Sequence, residues 1–150
     1  MNISEVGIEQ IKRYESLSLT VYDDQAGLPT IGYGHLIVEG DGFTSDTVLT
    51  PAEATDLFHR DLSPMVQAVN HGLIVDVTQA QFDALVSFVF NCGIMAFYTS
   101  SLRRAINIKA PNKDIRERLM RWNRVTVKGV KVESKGLTAR RMSEAKAWPL

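Results

Sequence analysis

Glu15, Asp24 and Thr30 lie in one stretch from Arg13 to His35, with eight residues between the first two and five between Asp24 and Thr30. Breaking a glycosidic bond takes a proton donor for the leaving oxygen and a second carboxylate, or an oriented water, at the sugar carbon. Two carboxyl groups on different rigid elements can face one another and hold different protonation states. A hydroxyl close by can hold a water. Taken singly, these acids have plainer uses. A glutamate at a helix end is ordinarily solvated, and an aspartate ahead of a glycine turn ordinarily serves the turn.

The elements that must position them can be read from the pattern. Residues 3–15 are predicted as a helix, with Ile3, Val6, Gly7, Ile11 and Tyr14 as an apolar stripe and Ser4 as its cap. Leu17 to Tyr22 alternates as a strand, Gln25 to Pro29 makes a turn, and Thr30 to Gly34 returns as a second strand. Gly32 and Gly34 flank Tyr33 and suit a bend or a close backbone approach. Glu39 to Gly42 is a further turn, and Phe43 to Val48 reads as irregular or a short strand.

Thr50-Pro51-Ala52-Glu53 starts a helix that should reach about Asn70-His71-Gly72, with Pro64 able to kink or split it. Thr78 to Gln81 starts another. It carries Phe82, Leu85, Val86, Phe88, Val89 and Phe90, is apolar almost all round, and ends at Gly93, as a buried central helix would. Further helices are expected near 99–108, 112–124 and 138–147, capped by Thr99 or Ser100, by Asn112 and by Thr138; residues 125–135 form a hairpin or a mobile loop. The class is α+β and mainly helical. A single domain spans 1–150, with a small N-terminal lobe (about 15–50) holding a short antiparallel sheet. A larger helical lobe covers about 51–150 together with helix 3–15. A cleft between lobes would suit an extended polymer.

One cysteine, Cys92, excludes an internal disulfide and fits folding in a reducing compartment; it is expected as a buried thiol. His35, His59 and His71 lack metal-ligand spacing, so neither metal nor cofactor is expected. No apolar run reaches transmembrane length, and the N-terminus has neither a basic nor an apolar signal region. Charge is divided unevenly. Residues 1–102 hold three Lys and Arg against thirteen Asp and Glu, whereas residues 103–150 hold fourteen against four. The basic residues alternate with apolar helix positions and no nucleic-acid motif appears, so nucleic acid is not expected as a partner. A basic lobe suits an anionic bacterial envelope.

Glu15, Asp24 and Thr30, followed by Ile31-Gly32-Tyr33-Gly34-His35, closely resemble the active-site segment of the phage-type lysozymes, or endolysins, of glycoside hydrolase family twenty-four. The resemblance continues through Thr50 to Asp61, Gln81 to Gly93, Phe97 to Leu102, Arg121 to Asn123 and Gly136 to Glu144. It departs where Arg124 to Lys128 replaces the glycine-rich loop often found after the Trp-Asn pair. The resemblance implies a lysozyme-like fold and hydrolysis of the β-1,4 bond between N-acetylmuramic acid and N-acetylglucosamine in peptidoglycan.

Glu15 is then the general acid, favoured in its protonated form by the negative end of its helix and by a closed cleft, with Arg140 or Arg141 able to orient it. Asp24 stabilises developing positive charge and holds a water with Thr30. Inversion follows if the carboxyl groups stand about 6.5–9.5 Å apart, retention at about 5–5.5 Å. Leu36, Phe90 and Ser101 are the matching glycan contacts, and His35 is expected to pair with Asp61. A lytic transglycosylase, or a wall-binding domain of the same fold, remains open on these residues alone. The expected partners are peptidoglycan strands, with no stable membrane association. A monomer is expected to stay in the host cytoplasm until a holin releases it to the periplasm, with secretion-system cargo as the alternative route.

Overall fold

The computed structural model describes residues Met1–Leu150. Its elements run α1 (Glu5–Glu15), β1 (Ser18–Asp23), β2 (Pro29–Gly32), β3 (His35–Leu36), α2 (Pro51–Gly72), α3 (Gln79–Cys92), α4 (Ile94–Thr99), α5 (Ser101–Asn107), α6 (Asn112–Met120), β4 (Arg124–Val127), β5 (Val130–Glu133) and α7 (Lys135–Ala145). The class is α+β, as expected. The chain divides into two compact units, Ile8–Pro64 and Met1–Gly7 with Met65–Leu150. Helix α2 runs on through Pro64 without interruption. No helix is long and apolar enough to cross a membrane.

In the Ile8–Pro64 unit, β1, β2 and β3 form an antiparallel sheet in that order. The second strand expected over Thr30–Gly34 is in fact two, because the chain turns at Tyr33-Gly34 and comes back as β3. Residues 43–48 form no strand; only Val48 bridges to Thr20. The core is Ile31, Leu49, Ala54 and Leu57, with Leu19, Val21 and Tyr33 packed against it. The tilted pair of Tyr33 and Phe58, ring centroids 5.2 Å apart, fixes the segment after β2, and Lys12 Nζ lies 5.4 Å from the Tyr33 ring. Thr50 and Glu53 cap α2 reciprocally: Glu53 N donates to Thr50 Oγ1 (3.1 Å) and Thr50 N to Glu53 Oε2 (2.8 Å).

In the other unit, α3 is the buried helix. Phe82, Leu85, Val86, Phe88 and Val89 are all within its core, and it packs against α4 and α7. Thr78 and Gln81 make its capping box, and Gly93 ends it. Gly93 also opens α4, an element missing from the sequence reading because the same glycine punctuates both helices.

Ser100, one of the two caps expected there, caps α5. Two other expected caps are displaced. Asn112 is already inside α6 behind Pro111, and its amide donates to Pro149 O (2.8 Å). Ser134, not Thr138, caps α7, so that helix starts earlier, with Gly136 in its first turn. Thr138 instead donates to Ser134 O (2.8 Å) and accepts from Asn123 (3.1 Å). Cys92 is half-buried rather than buried.

The second feature of this unit is a charged core. Arg140, Arg141 and Glu144 are 4%, 0% and 2% exposed. Glu144 Oε1 accepts from Arg141 Nη2 (3.0 Å), from Ser87 Oγ (2.7 Å) and from Arg140 Nε (3.4 Å), and Oε2 is ion-paired with Arg141 Nε at 2.8 Å. Burial pushes the Glu144 carboxyl up from its ordinary range, against the pull of Arg141, Ser87 and Arg140. Removing the shared carboxylate leaves two guanidinium groups in the core without it. Glu144→Ala is expected to cost about 3–5 kcal/mol, read as a lower urea midpoint; a loss within error would show that the arginines find other partners.

Candidate active site

Helix α1 delivers Glu15 as its last residue. Ser4 starts the helix, accepting from Gly7 N at 3.2 Å. Ser16 stops it with a left-handed φ of 53°, its N–H closing on Lys12 O at 3.2 Å. Glu15 is half-buried, and its carboxylate lies against the Gly32-Tyr33-Gly34 turn. A Cβ on Gly34 would stand 3.0 Å from Glu15 Oε2, and the Gly34 φ of 76° also disfavours any side chain there. A side chain there would require the Glu15 carboxylate to give way by a few tenths of an ångström.

Asp24 follows β1 and organises the loop that ends in β2. Its Oδ1 accepts from Ala26 N (2.8 Å) and Leu28 N (2.9 Å), and its own N–H donates to Leu28 O (2.9 Å). The turn-forming use of this residue is therefore real, and it occupies one carboxylate oxygen. The second oxygen, Oδ2, makes no bond to the protein.

Thr30 is 4% exposed in the central strand. It pairs with Tyr22 on one side and Leu36 on the other. Its hydroxyl donates to Leu28 O at 3.0 Å. With the proton committed there, the Thr30 oxygen faces any further partner as an acceptor. The peptide groups of Leu28 thus bind both Asp24 and Thr30.

Leu36, directly opposite Thr30 in the register, is 43% exposed and shares its face of the sheet. Phe90 is half-buried near the end of α3, and Ser101 is the half-buried first residue of α5.

His35 forms the expected pair with Asp61, Nδ1 lying 2.8 Å from Oδ2 and 3.0 Å from Oδ1. A second carboxylate escaped the sequence reading. His35 Nε2 lies 3.0 Å from Asp41 Oδ2, which also accepts from Val38 N at 2.8 Å. Asp41 reads as a turn residue between two glycines; its place six residues after a histidine was the one available signal. Burial of His35 alone would lower its pKa, but the bonds to Asp41 and Asp61 and their charge outweigh that and raise it. The Asp41 carboxyl is held below its ordinary value by the Val38 N–H first, then by His35. No group of three or more His, Cys, Asp and Glu converges as a metal site.

The phage lysozyme family matches residues 12–144. The chain belongs to that family. It is 36% identical to the endolysin of Acyrthosiphon pisum secondary endosymbiont phage 1 over 96% of this chain and 95% of that one. It is 43% identical to the endolysin of Bacillus phage PZA over 71% of this chain, which spans 41% of that longer protein. Among solved structures, an endolysin from Escherichia coli O157:H7 phage FAHEc1 superposes with a TM-score of 0.91 at 39% identity, covering 99% of this chain and 94% of the other. The family match takes in Asp24, Thr30, Leu36, Phe90 and Ser101, and Glu15 near its start.

Two predictions follow from this geometry. Gly34→Ala should push the Glu15 carboxylate aside and lower kcat by about tenfold to a hundredfold. Gly42→Ala, equally strained at φ 78° but with open space around it, should leave kcat unchanged; equal losses would assign the effect to strain.

The second concerns pH. His35 has a raised folded pKa, so its stabilisation is full below its ordinary value of 6.5 and is lost as pH rises through the folded value. Asp41 has a lowered one, so its share is present above 3.8 and is lost as pH falls through the folded value. Stability from the pair should be greatest between these two values. An NMR titration should place His35 above 6.5, and Asp41→Asn should bring it down. A wild-type midpoint at or below that value contradicts the paired imidazolium.

Proposed function

We propose that the chain is a muramidase in which Glu15 is the general acid and Asp24 with Thr30 presents the attacking water. The hydrolase class follows from membership of the phage lysozyme family: the chain is a glycoside hydrolase, an endolysin that lyses peptidoglycan. The bond cleaved in this reading is the β-1,4 link between N-acetylmuramic acid and N-acetylglucosamine.

The observation that carries the residue roles is the double use of Leu28, whose N–H binds Asp24 Oδ1 and whose carbonyl binds the Thr30 hydroxyl. It sets the Asp24 carboxylate and the Thr30 hydroxyl in a fixed relation, with Asp24 Oδ2 and the Thr30 lone pairs available. A water donating one proton to each would be oriented for attack. Glu15 protonates the leaving oxygen while Asp24 takes up a proton from that water, which favours a single displacement with inversion. Leu36, beside Thr30 in the sheet, is proposed to contact the sugar, and Phe90 and Ser101 are proposed as further contacts.

Delivery in this reading belongs to a separate holin, with the enzyme acting as a monomer once released to the periplasm. Expressed alone in a Gram-negative host, it should leave cells intact until the inner membrane is breached with chloroform, and lysis should then be rapid. Lysis on simple induction contradicts holin dependence.

Glu15→Gln should reduce lysis of exposed walls on the order of a hundredfold or more with an unchanged circular dichroism spectrum. Asp24→Ala and Thr30→Ala should also be severely impaired. Retained activity in a folded Glu15→Gln protein overturns the assignment. Mass spectrometry should find reducing-end muropeptides; anhydro products would instead mean a lytic transglycosylase.

A further inference from the structure

Strands β4 and β5 make a two-stranded hairpin closed by Lys128 and Gly129, both at positive φ (49° and 78°), as the tight two-residue turns of hairpins require. Its register pairs Arg124 with Glu133, Val125 with Val132, Thr126 with Lys131 and Val127 with Val130. Opposed residues share a face and successive ones alternate. One face is therefore four valines, and the other is polar. Arg124, Thr126 and Lys131 line a cavity of about 350 Å³ whose other walls include Cys92, Trp122 and Leu137. The polar face thus turns toward its own unit and the valine face turns away.

Every residue of both strands is exposed. The valines range from 36% (Val125) to 61% (Val130), with the largest exposure beside the tip. A contiguous apolar face left open to water points to an interaction surface. What surrounds it narrows the choice. Residues 121–135 carry five cations against one acid, Glu133; Arg121, Arg124 and Lys131 line the cavity behind the polar face, and Lys128 stands at the turn directly between Val127 and Val130. A hydrated, anionic glycan answers the charge but offers no apolar phase. A second copy offers apolar surface but brings the same five cations against them. An anionic bilayer answers both, with headgroups for the lysines and a headgroup–acyl boundary for the valines.

We propose that the β4–β5 hairpin is a peripheral docking element for anionic lipid bilayers. Docking of this size is reversible and salt-sensitive, and inserts nothing across the membrane, so it differs from the stable association that the sequence argues against. It stands apart from the catalytic reading: hydrolysis of lipid-free walls reports one, and vesicle binding reports the other.

The test sediments the full chain with vesicles of phosphatidylethanolamine and phosphatidylglycerol, or of phosphatidylcholine alone, at low and high salt. Binding is expected on the anionic vesicles at low salt and not on phosphatidylcholine. Val127→Ser with Val130→Ser, and separately Lys128→Glu, should each reduce that binding on the order of tenfold while hydrolysis of lipid-free walls is unchanged. If the valine pair unfolds the hairpin, Lys128→Glu, which removes no valine from the face, carries the test. Three results overturn the proposal: no preference for anionic vesicles, binding that ignores the substitutions, or the same dependence on the substitutions in binding to lipid-free walls or in self-association.

Discussion

Leu28 spends both of its main-chain polar groups inside the loop that carries Asp24 and leads to Thr30. Its N–H goes to Asp24 Oδ1, and its carbonyl takes the Asp24 N–H and the Thr30 hydroxyl. These two groups lie on the successive peptide planes either side of the Leu28 Cα, and with both bonded neither plane turns freely, so the residue is a stiff ruler between two functional groups on different elements. The sheet fixes the ruler. Thr30 is held on both edges by Tyr22 and Leu36, and Ile31, next to it, is wholly buried in the core with Leu57 of α2. Packing of the Ile8–Pro64 unit is thereby converted into placement of a hydroxyl and a carboxylate.

Glu15 is held by a different device. Its helix stops abruptly at Ser16, and the turn around Gly34 closes on the carboxylate so tightly that a Cβ would displace it. The same turn sends the chain into β3, putting Leu36 opposite Thr30 and aiming His35 at Asp61 and Asp41. A single glycine is consequently tied to the proposed acid, to the strand pairing beside Thr30, and to an ion pair that anchors the turn to α2. Several demands meet at that position, which is why a glycine there carries information about the site.

Local interactions were the legible part. The caps by Ser4, Thr50 and Thr78 rest on partners three residues away, and the apolar run of α3 states its own burial. Glu15, Asp24 and Thr30 could be singled out because their types and spacing are a pattern in themselves. What stayed hidden depends on the main chain or on distant partners. Leu28 acts through its peptide, to which its side chain gives no clue. Asp41 reaches His35 only after the chain folds back. Helix α7 starts at Lys135 although Gly136 is a poor helix former, because Ser134 caps it and α6 and α3 pack on it. The separation of β2 from β3 was hidden by Tyr33, a good strand residue placed in a turn by the glycines on either side.

Acidic side chains in this chain show how far neighbours, not residue type, assign a role. Glu144 sits in the core between two arginines and a serine hydroxyl and is engaged by all three. Asp41 and Asp61 grip the two ring nitrogens of one histidine and serve a turn. Asp24 divides itself: Oδ1 builds the loop, while Oδ2 makes no bond to the protein. A carboxylate used wholly for structure would engage both oxygens, as Glu144 does through hydrogen bonds to Oε1 and an ion pair at Oε2. A carboxylate meant only for solvent would not be locked by two main-chain N–H groups in a four-residue span. Rigid placement combined with an unoccupied oxygen is the combination that a water-holding role needs, and among these acids the hydrogen bonding gives it to Asp24.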